Sequence, residues 1–458
     1  MRLSVPLLAC LVVLLLVPAV APAATPRPLV YVVVLDALDG DRIDEGRAPF
    51  ISSLLAGQGA RSAYYRESRS VMIAETNPNH VGMATGAYMN RSGIYGNAFA
   101  LYHAVDDDDS CRATGPVNVA RRPHETSGEN ANCLLADTMF AALRRQGNPD
   151  GLLTAGIFGK PKLAAIFAGR QASPARRDLD YVWSPCTPNE PPTDYCENVP
   201  ALPRFGYTFL DVQVMDVVLR SIRQGVPAPG GTRRRPDVTF VNMPEVDNAG
   251  HAFGISTGAY DEAIAHADDE LERLVTELRA RGEWSRTVLI LLSDHSMDNT
   301  LTKTSLDDVF AAAGVPKSEF VAIGESSVDL VYLSDRTSPG RFDKLRRMRA
   351  AALATGNVQE ALYREPNPGD GGTAHTIDAA HPEWHAGGGR APDLLFTHKP
   401  GGSFSDPEPS DQPLPGHHGA PNTRDNFFAV IGGGDYVVQQ DRRGTRAADF
   451  DDTATNRG

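Results

Sequence analysis

Residues 29–35, 238–242, 287–292 and 427–431 are short runs dominated by Val, Leu, Ile and Phe. Such runs predict strands buried on both faces, as in a parallel sheet sandwiched by helices. Residues 393–397 read as a further strand. Between the strands, apolar residues recur at helical spacing over 48–55, 134–145, 209–223 and 259–281, the last with Glu and Arg on its outer face. Strands interleaved with helices predict an α/β fold around a mostly parallel central sheet. Periodicity weakens over about 98–205, which reads as an insertion lying over one edge of that sheet; residues 307–352 mix helix and strand signals.

The polar breaks in this pattern carry the chemistry. Asp36 follows the first strand at once, and Ser293-Asp294-His295-Ser296 follows the run 287–292. In open α/β sheets ligands bind where strands run out at their carboxyl ends, although a strand-end Asp is also a common turn residue. After 238–242 comes Asp247-Asn248-Ala249-Gly250-His251, read as a turn whose acid and imidazole can converge on one cation. Thr76-Asn77-Pro78-Asn79-His80 opens a short helix that Gly86 ends. Pro78 suits the first helical turn and Gly86 a left-handed cap, which leaves Thr76 at or near the N-cap. Thr76 is either a plain cap or a nucleophile whose oxygen sits at the positive end of the helix dipole. Asn97 lies in the glycine-punctuated turn Gly93-Ile94-Tyr95-Gly96-Asn97, Lys160 and Lys162 flank Pro161, and His417-His418-Gly419 ends a Pro/Gly-rich loop. His375, His381 and His385 follow no ligand spacing and, like His266, read as structural.

Export changes the meaning of the cysteines. Met1-Arg2, an apolar run over 3–20 and Ala21-Pro22-Ala23 form a signal-peptide pattern ending at residue 23. No later run is long enough to span a bilayer, so an exported, periplasmic or secreted protein is expected. Cys111, Cys133, Cys186 and Cys196 then read as two disulfides. Sequence order favours Cys111 with Cys133 and Cys186 with Cys196, among three arrangements. The 458 residues accommodate a single large α/β domain, here 24–458, as readily as two or three. A net charge of −13 counts against nucleic-acid polymers as partners. The acidic run 106–109 lacks the spacing of a calcium loop, and no Gly-x-Ser-x-Gly elbow is present.

Together, the strand-end acids, the histidines and Thr76 supply two metal sites and a nucleophile. Two Zn²⁺ ions balanced by Asp36, Asp247 and Asp294 leave about one positive charge for an anionic phosphodiester. In the order Asp36, Thr76-Asn77-Pro78-Asn79-His80, Gly93 to Asn97, Asp247-x-x-Gly250-His251, Ser293-Asp294-His295 and His418-Gly419, the sequence resembles the alkaline phosphatase superfamily. Within it, the match is to the type I phosphodiesterase/nucleotide pyrophosphatase family, over about residues 29–433. The resemblance implies a three-layer sandwich and two divalent ions, Zn²⁺ by first expectation. Asp247, His251 and His418 would hold one ion; Asp36, Thr76, Asp294 and His295 would hold the other. It also implies Thr76 as nucleophile, with Asn97 and the Asn77 N–H on a phosphate oxygen, and a small nucleotide or phosphodiester substrate.

Three features depart from the family pattern. Ser296 replaces a glycine, which predicts a strained turn. His417 competes with His418 as ligand. Relatives usually continue beyond the point where this chain stops, which raises the expectation of a fragment. Rival readings are a phosphonoacetate hydrolase, whose lysines hold a substrate carboxylate as Lys160 and Lys162 would, a phosphomonoesterase, and a secreted metal-binding scaffold without catalysis. The Cys/Ser-x-Pro-x-Arg motif of sulfatases is absent.

Overall fold

The computed structural model describes residues 27–102, 111, 124–127, 131–168, 178–186, 193–199, 210–228, 230–405 and 415–441. The expected signal segment 1–23 and the acidic run 106–109 lie outside them. The fold is α/β, built on one nine-stranded sheet. Its order is Gln440–Asp441, Arg61–Tyr65, Phe428–Gly432, Thr287–Leu292, Leu29–Leu35, Val238–Met243, Thr154–Phe158, Tyr181–Pro185, Cys196–Glu197. All neighbours pair in parallel except around Phe428–Gly432, which runs antiparallel to both of its neighbours.

Leu29–Leu35 lies near the middle and is buried on both faces, as its unbroken apolar run requires. Leu29, Tyr31, Val33 and Leu35 pack with the helices Pro49–Leu55, Leu210–Gln224 and Gly258–Ala280. Val32 and Val34 face the opposite layer, with Val81 and Ala84 of the helix Thr76–Thr85, Phe140, and the helix Pro161–Phe167. Helices on both faces make three layers. In register, Val34 pairs with both Asn242 and Leu292. The residues just beyond these strands therefore emerge at one level along one edge of the sheet.

The stretch 98–205 divides. Ala98–Leu101 pairs with His124–Ser127 in a separate ribbon, while Thr154–Phe158, Tyr181–Pro185 and Cys196–Glu197 are strands of the central sheet. Its second half is thus part of the sheet rather than an overlay on it. The helix expected from 134 begins at Met139, where Thr138 caps it by accepting from the Ala141 N–H; the preceding residues form a 3₁₀ turn, Ala131–Cys133. Disulfides join Cys111 to Cys133 and Cys186 to Cys196. A second, four-stranded antiparallel sheet, in the order Phe320–Glu325, Val328–Leu333, Leu394–His398, Val358–Tyr363, packs its own core against the helices Leu306–Ala312 and Arg341–Ala354. Among the described residues no helix is long and apolar enough to cross a membrane.

Candidate active site

Thr76 is the first residue of its helix, and Glu75, in extended conformation, occupies the cap position without a side-chain capping bond. Gly86 closes the helix in the left-handed region at φ 64°, its N–H donating to Gly82 O. Asn79 ties the approach segment to this helix: its Nδ2 donates to Glu75 O at 2.9 Å and Ile73 O at 3.1 Å, and its Oδ1 accepts from Val71 N. His80 lies 2.9 Å by Nδ1 from Thr76 O and 3.2 Å by Nε2 from the Asn242 amide. One nitrogen donates and the other accepts, so this ring is neutral; burial pushes its pKa down to about 4.

Three carboxylates, of Asp36, Asp247 and Asp294, and four imidazoles, of His80, His251, His295 and His418, fall into three overlapping groupings. Asp247, His251 and His418 converge, with the His251 and His418 Nε2 atoms 3.1 Å apart and 3.4 and 3.5 Å from Asp247 Oδ1. Contrary to the turn expected from sequence, Asp247 and His251 lie on one helix, Glu245–Phe253. Four residues apart, they share a face. Asp36 meets Asp294 in one grouping, with His80, and meets His295 and Asp247 in another. His295 Nε2 is 3.4 Å from Asp294 Oδ2 and 3.7 Å from Asp36 Oδ1.

The donor set fits two divalent cations. His251, His295 and His418 each turn Nδ1 to a backbone carbonyl, of Gly416, Ser296 and Ala74 respectively. That orientation leaves the Nε2 lone pairs facing inward, as metal-bound imidazoles require. Asp36 Oδ1, Asp247 Oδ1, Asp294 Oδ2 and His295 Nε2 are buried with no hydrogen-bond partner among the described residues. Buried polar atoms left this way are costly unless a ligand satisfies them. The remaining carboxylate oxygens are held: Asn242 donates to Asp36 Oδ2 at 2.8 Å, and the Ala37 and His295 N–H groups donate to Asp294 Oδ1. Burial lowers the pKa of His251 and His295, which keeps both rings neutral. For His418 burial acts in the same sense, but the nearby Glu75 carboxylate turns the net shift upward.

His417 turns away, its Nδ1 2.9 Å from Thr300 Oγ1. Ser296 is not strained: its φ is not positive, and its N–H donates to Thr423 O. The positive-φ residue here is Ala37, at 63°, whose carbonyl accepts from Tyr260 OH at 2.9 Å. His381 stacks on Trp384 and His385 on Tyr88, and neither enters a convergent ligand grouping among the described residues.

Lys160 stands at the centre. It follows the strand Thr154–Phe158, and its Nζ lies 2.8 Å from Asp247 Oδ2, 2.9 Å from Asp36 Oδ2 and 3.0 Å from Thr76 Oγ1. Burial alone would lower its pKa; the Asp247 and Asp36 carboxylates more than reverse this and keep it charged. Lys162 is within electrostatic reach of Lys160 and Glu75, and burial lowers its pKa. Asn97 accepts from the Asn77 N–H at 3.0 Å and donates through Nδ2 to Glu75 Oε2 at 2.6 Å. The two groups expected on a phosphate oxygen are thus adjacent and bonded to each other. Asn242 and Asn79 were missed in the sequence reading. Asn242 is legible as an amide inside an apolar strand; Asn79 stands within the Thr76-to-His80 motif, but its bonds to the preceding segment have no sequence signal.

A family model described as "Type I phosphodiesterase / nucleotide pyrophosphatase" matches residues 30–421. No curated protein is significantly similar to the chain. Among solved structures, phosphonoacetate hydrolase from Sinorhizobium meliloti 1021 in complex with phosphonoacetate superposes with a TM-score of 0.61 at 17% identity, covering 93% of this chain and 94% of its own. An inactive form of murine ectonucleotide pyrophosphatase/phosphodiesterase 5 in complex with AMP gives 0.59 at 16% identity, covering 88% of each chain. At such identity these neighbours establish the fold, while the family match extends across all the convergent acids and imidazoles. The chain belongs to the type I phosphodiesterase/nucleotide pyrophosphatase family.

Proposed function

We propose that this phosphoric ester hydrolase is an exported two-metal phosphodiesterase or nucleotide pyrophosphatase acting through a phosphothreonine. The observation that supports the reading is Thr76 at a helix start, its Oγ1 3.0 Å from the Lys160 Nζ that also meets Asp36 and Asp247, two of the acids that converge with the imidazoles. Asp247, His251 and His418 would hold one ion, and Asp36, Thr76, Asp294 and His295 the other; zinc is proposed, although this ligand chemistry also admits manganese or iron. When bound, such ions supply charge that favours the Thr76 alkoxide and neutralises the phosphoryl oxygens.

Thr76 gives up its hydroxyl proton to solvent and attacks phosphorus. Its oxygen forms the new P–O bond as the bond to the leaving oxygen breaks; that oxygen keeps the electron pair and takes a proton from solvent. Water then cleaves the phosphothreonine and restores the hydroxyl. Lys160, 3.0 Å from Thr76 Oγ1, stabilises negative charge on that oxygen. The Asn97 amide and the Asn77 N–H release each other to hold a nonbridging phosphoryl oxygen. The signal-peptide pattern and two disulfides support export. The negative net charge favours small substrates over nucleic-acid polymers.

A second reading, phosphonoacetate hydrolysis, is favoured by one observation: Lys160 lies 3.0 Å from Thr76 Oγ1 with a second lysine, Lys162, within its electrostatic reach, a pair of cations suited to a substrate carboxylate. Thr76→Ala tests the shared mechanism. Turnover should fall about 10⁴-fold or more, the scale on which loss of a nucleophile acts, while metal analysis still finds both ions. Surviving turnover would remove Thr76 from the role.

A further inference from the structure

Glu75 immediately precedes the nucleophile and is 2% exposed. Its helix-cap position would lead one to expect a capping bond, yet its side chain makes none. Instead Oε2 accepts from Asn97 Nδ2 at 2.6 Å, and Oε1 lies 3.1 Å from His418 Nδ1. The His418 N–H itself points to Ala74 O, so the carboxylate acts on the ring through its charge, and Oε1 has no hydrogen-bond donor among the described residues. One carboxylate therefore touches both the amide placed on the phosphoryl oxygen and the imidazole placed on a metal.

The surroundings accommodate it. A Cβ on Gly419 would come within 3.1 Å of Glu75 Oε1 and 2.6 Å of Glu325 O. Glu325, 4% exposed, accepts from the Asn97 and Ala98 N–H groups at 2.9 and 2.6 Å, and a Cβ on Gly96 would crowd its Oε1 at 2.9 Å. Burying two neighbouring carboxylates is costly, and Lys162 is a cation within electrostatic reach of both.

We propose that Glu75 is a positioning residue that locks the Asn97 amide and the His418 imidazole into one arrangement, coupling the grip on the phosphoryl group to metal binding. This rests on the roles given to Asn97 and His418 above. Carboxylates behind metal-bound imidazoles set ring orientation and basicity, and losing one typically costs about 10–100-fold in metal affinity.

The two arms of Glu75 can be separated. In Glu75→Gln the amide oxygen still accepts from Asn97, but a neutral NH₂ replaces the charged oxygen 3.1 Å from His418 Nδ1, so the carboxylate's negative charge is lost from behind the ring. Zn²⁺ affinity, measured by competition with a chromophoric chelator, should fall about 10–100-fold at one of two sites. Glu75→Ala should also weaken orthovanadate binding to the zinc-loaded chain, read by calorimetry, about tenfold, on the order of one lost hydrogen bond to a charged group. In an Asn97→Ala background that second loss should disappear. Thermal melts check folding; should Glu75→Ala not fold, Glu75→Asp, one methylene too short to reach both partners, replaces it.

Wild-type zinc affinity in Glu75→Gln would overturn the proposal. So would an orthovanadate loss that adds in full to that of Asn97→Ala. If the wild-type chain binds zinc and orthovanadate but hydrolyses no diester, the proposed function fails while both binding tests of Glu75 stand.

Discussion

Gly250 sits inside the helix Glu245–Phe253, between Asp247 and His251, the two proposed metal ligands of this helix. Helix propensity alone predicts that Gly250→Ala stabilises by about 1 kcal/mol. Local packing predicts the reverse. A Cβ at this position would lie 2.1 Å from Met297 Sδ and 3.3 Å from the Tyr260 ring, where ordinary contact begins at 3.4 Å. The sulfur must then move by more than ~1 Å, or the helix must, in a core where overpacking costs about 1–3 kcal/mol. Met297 is buried and follows His295 by two residues, and on the other side a Cβ on Gly416 would come within 2.2 Å of the Gly250 carbonyl oxygen. Little room is left on either side. The expected net result is a loss of roughly 1–2 kcal/mol by urea denaturation, and a zinc affinity at Asp247, His251 and His418 lower by about tenfold, since ligand distances tolerate only about 0.2 Å. A variant more stable by about 1 kcal/mol with unchanged zinc affinity would refute the packing argument.

Lys160→Met should reduce kcat/KM for a diester by about 10²–10³-fold, the scale for one buried donor acting on transition-state charge; an unchanged kcat/KM would leave Lys160 only as counter-ion to Asp36 and Asp247. Glu277, paired with Arg223 and Arg281, has its pKa lowered to about 2 by those two hydrogen bonds. A folded pKa below the unfolded value means that this contribution is present above about pH 4.5 and is lost as pH falls through 2. Both arginine partners are exposed to solvent, so urea titrations of the wild-type chain and Glu277→Gln should differ by at most about 1 kcal/mol near neutrality and converge near pH 2. A gap that persists undiminished at pH 2 would contradict the linkage.

The strands and their terminal acids were legible because a strand buried on both faces leaves its first polar residue at its end, as at Asp36 and Asp294. The long helix Gly258–Ala280 was legible from its apolar spacing. The helix carrying Asp247 and His251 was read as a turn because its nine residues include a mid-helix glycine, and the reason for that glycine, Met297, is 47 positions away. Lys160 could be noticed but not placed: its contact with Asp36 and Asp247 follows from strand order, since Thr154–Phe158 lies beside Val238–Met243. The four-stranded sheet was obscured because Arg341–Ala354 interrupts its strands in sequence. Glu75 looked like any acid before a helix, where the dipole alone would explain it.

The most direct measurement is the rate ratio for bis(p-nitrophenyl) phosphate over p-nitrophenyl phosphate with the zinc-loaded chain, repeated after chelation. A ratio well above one, with both rates lost on chelation and restored by zinc, is the result expected of a two-metal diesterase. A ratio below one, or diester turnover indifferent to the chelator, would contradict it.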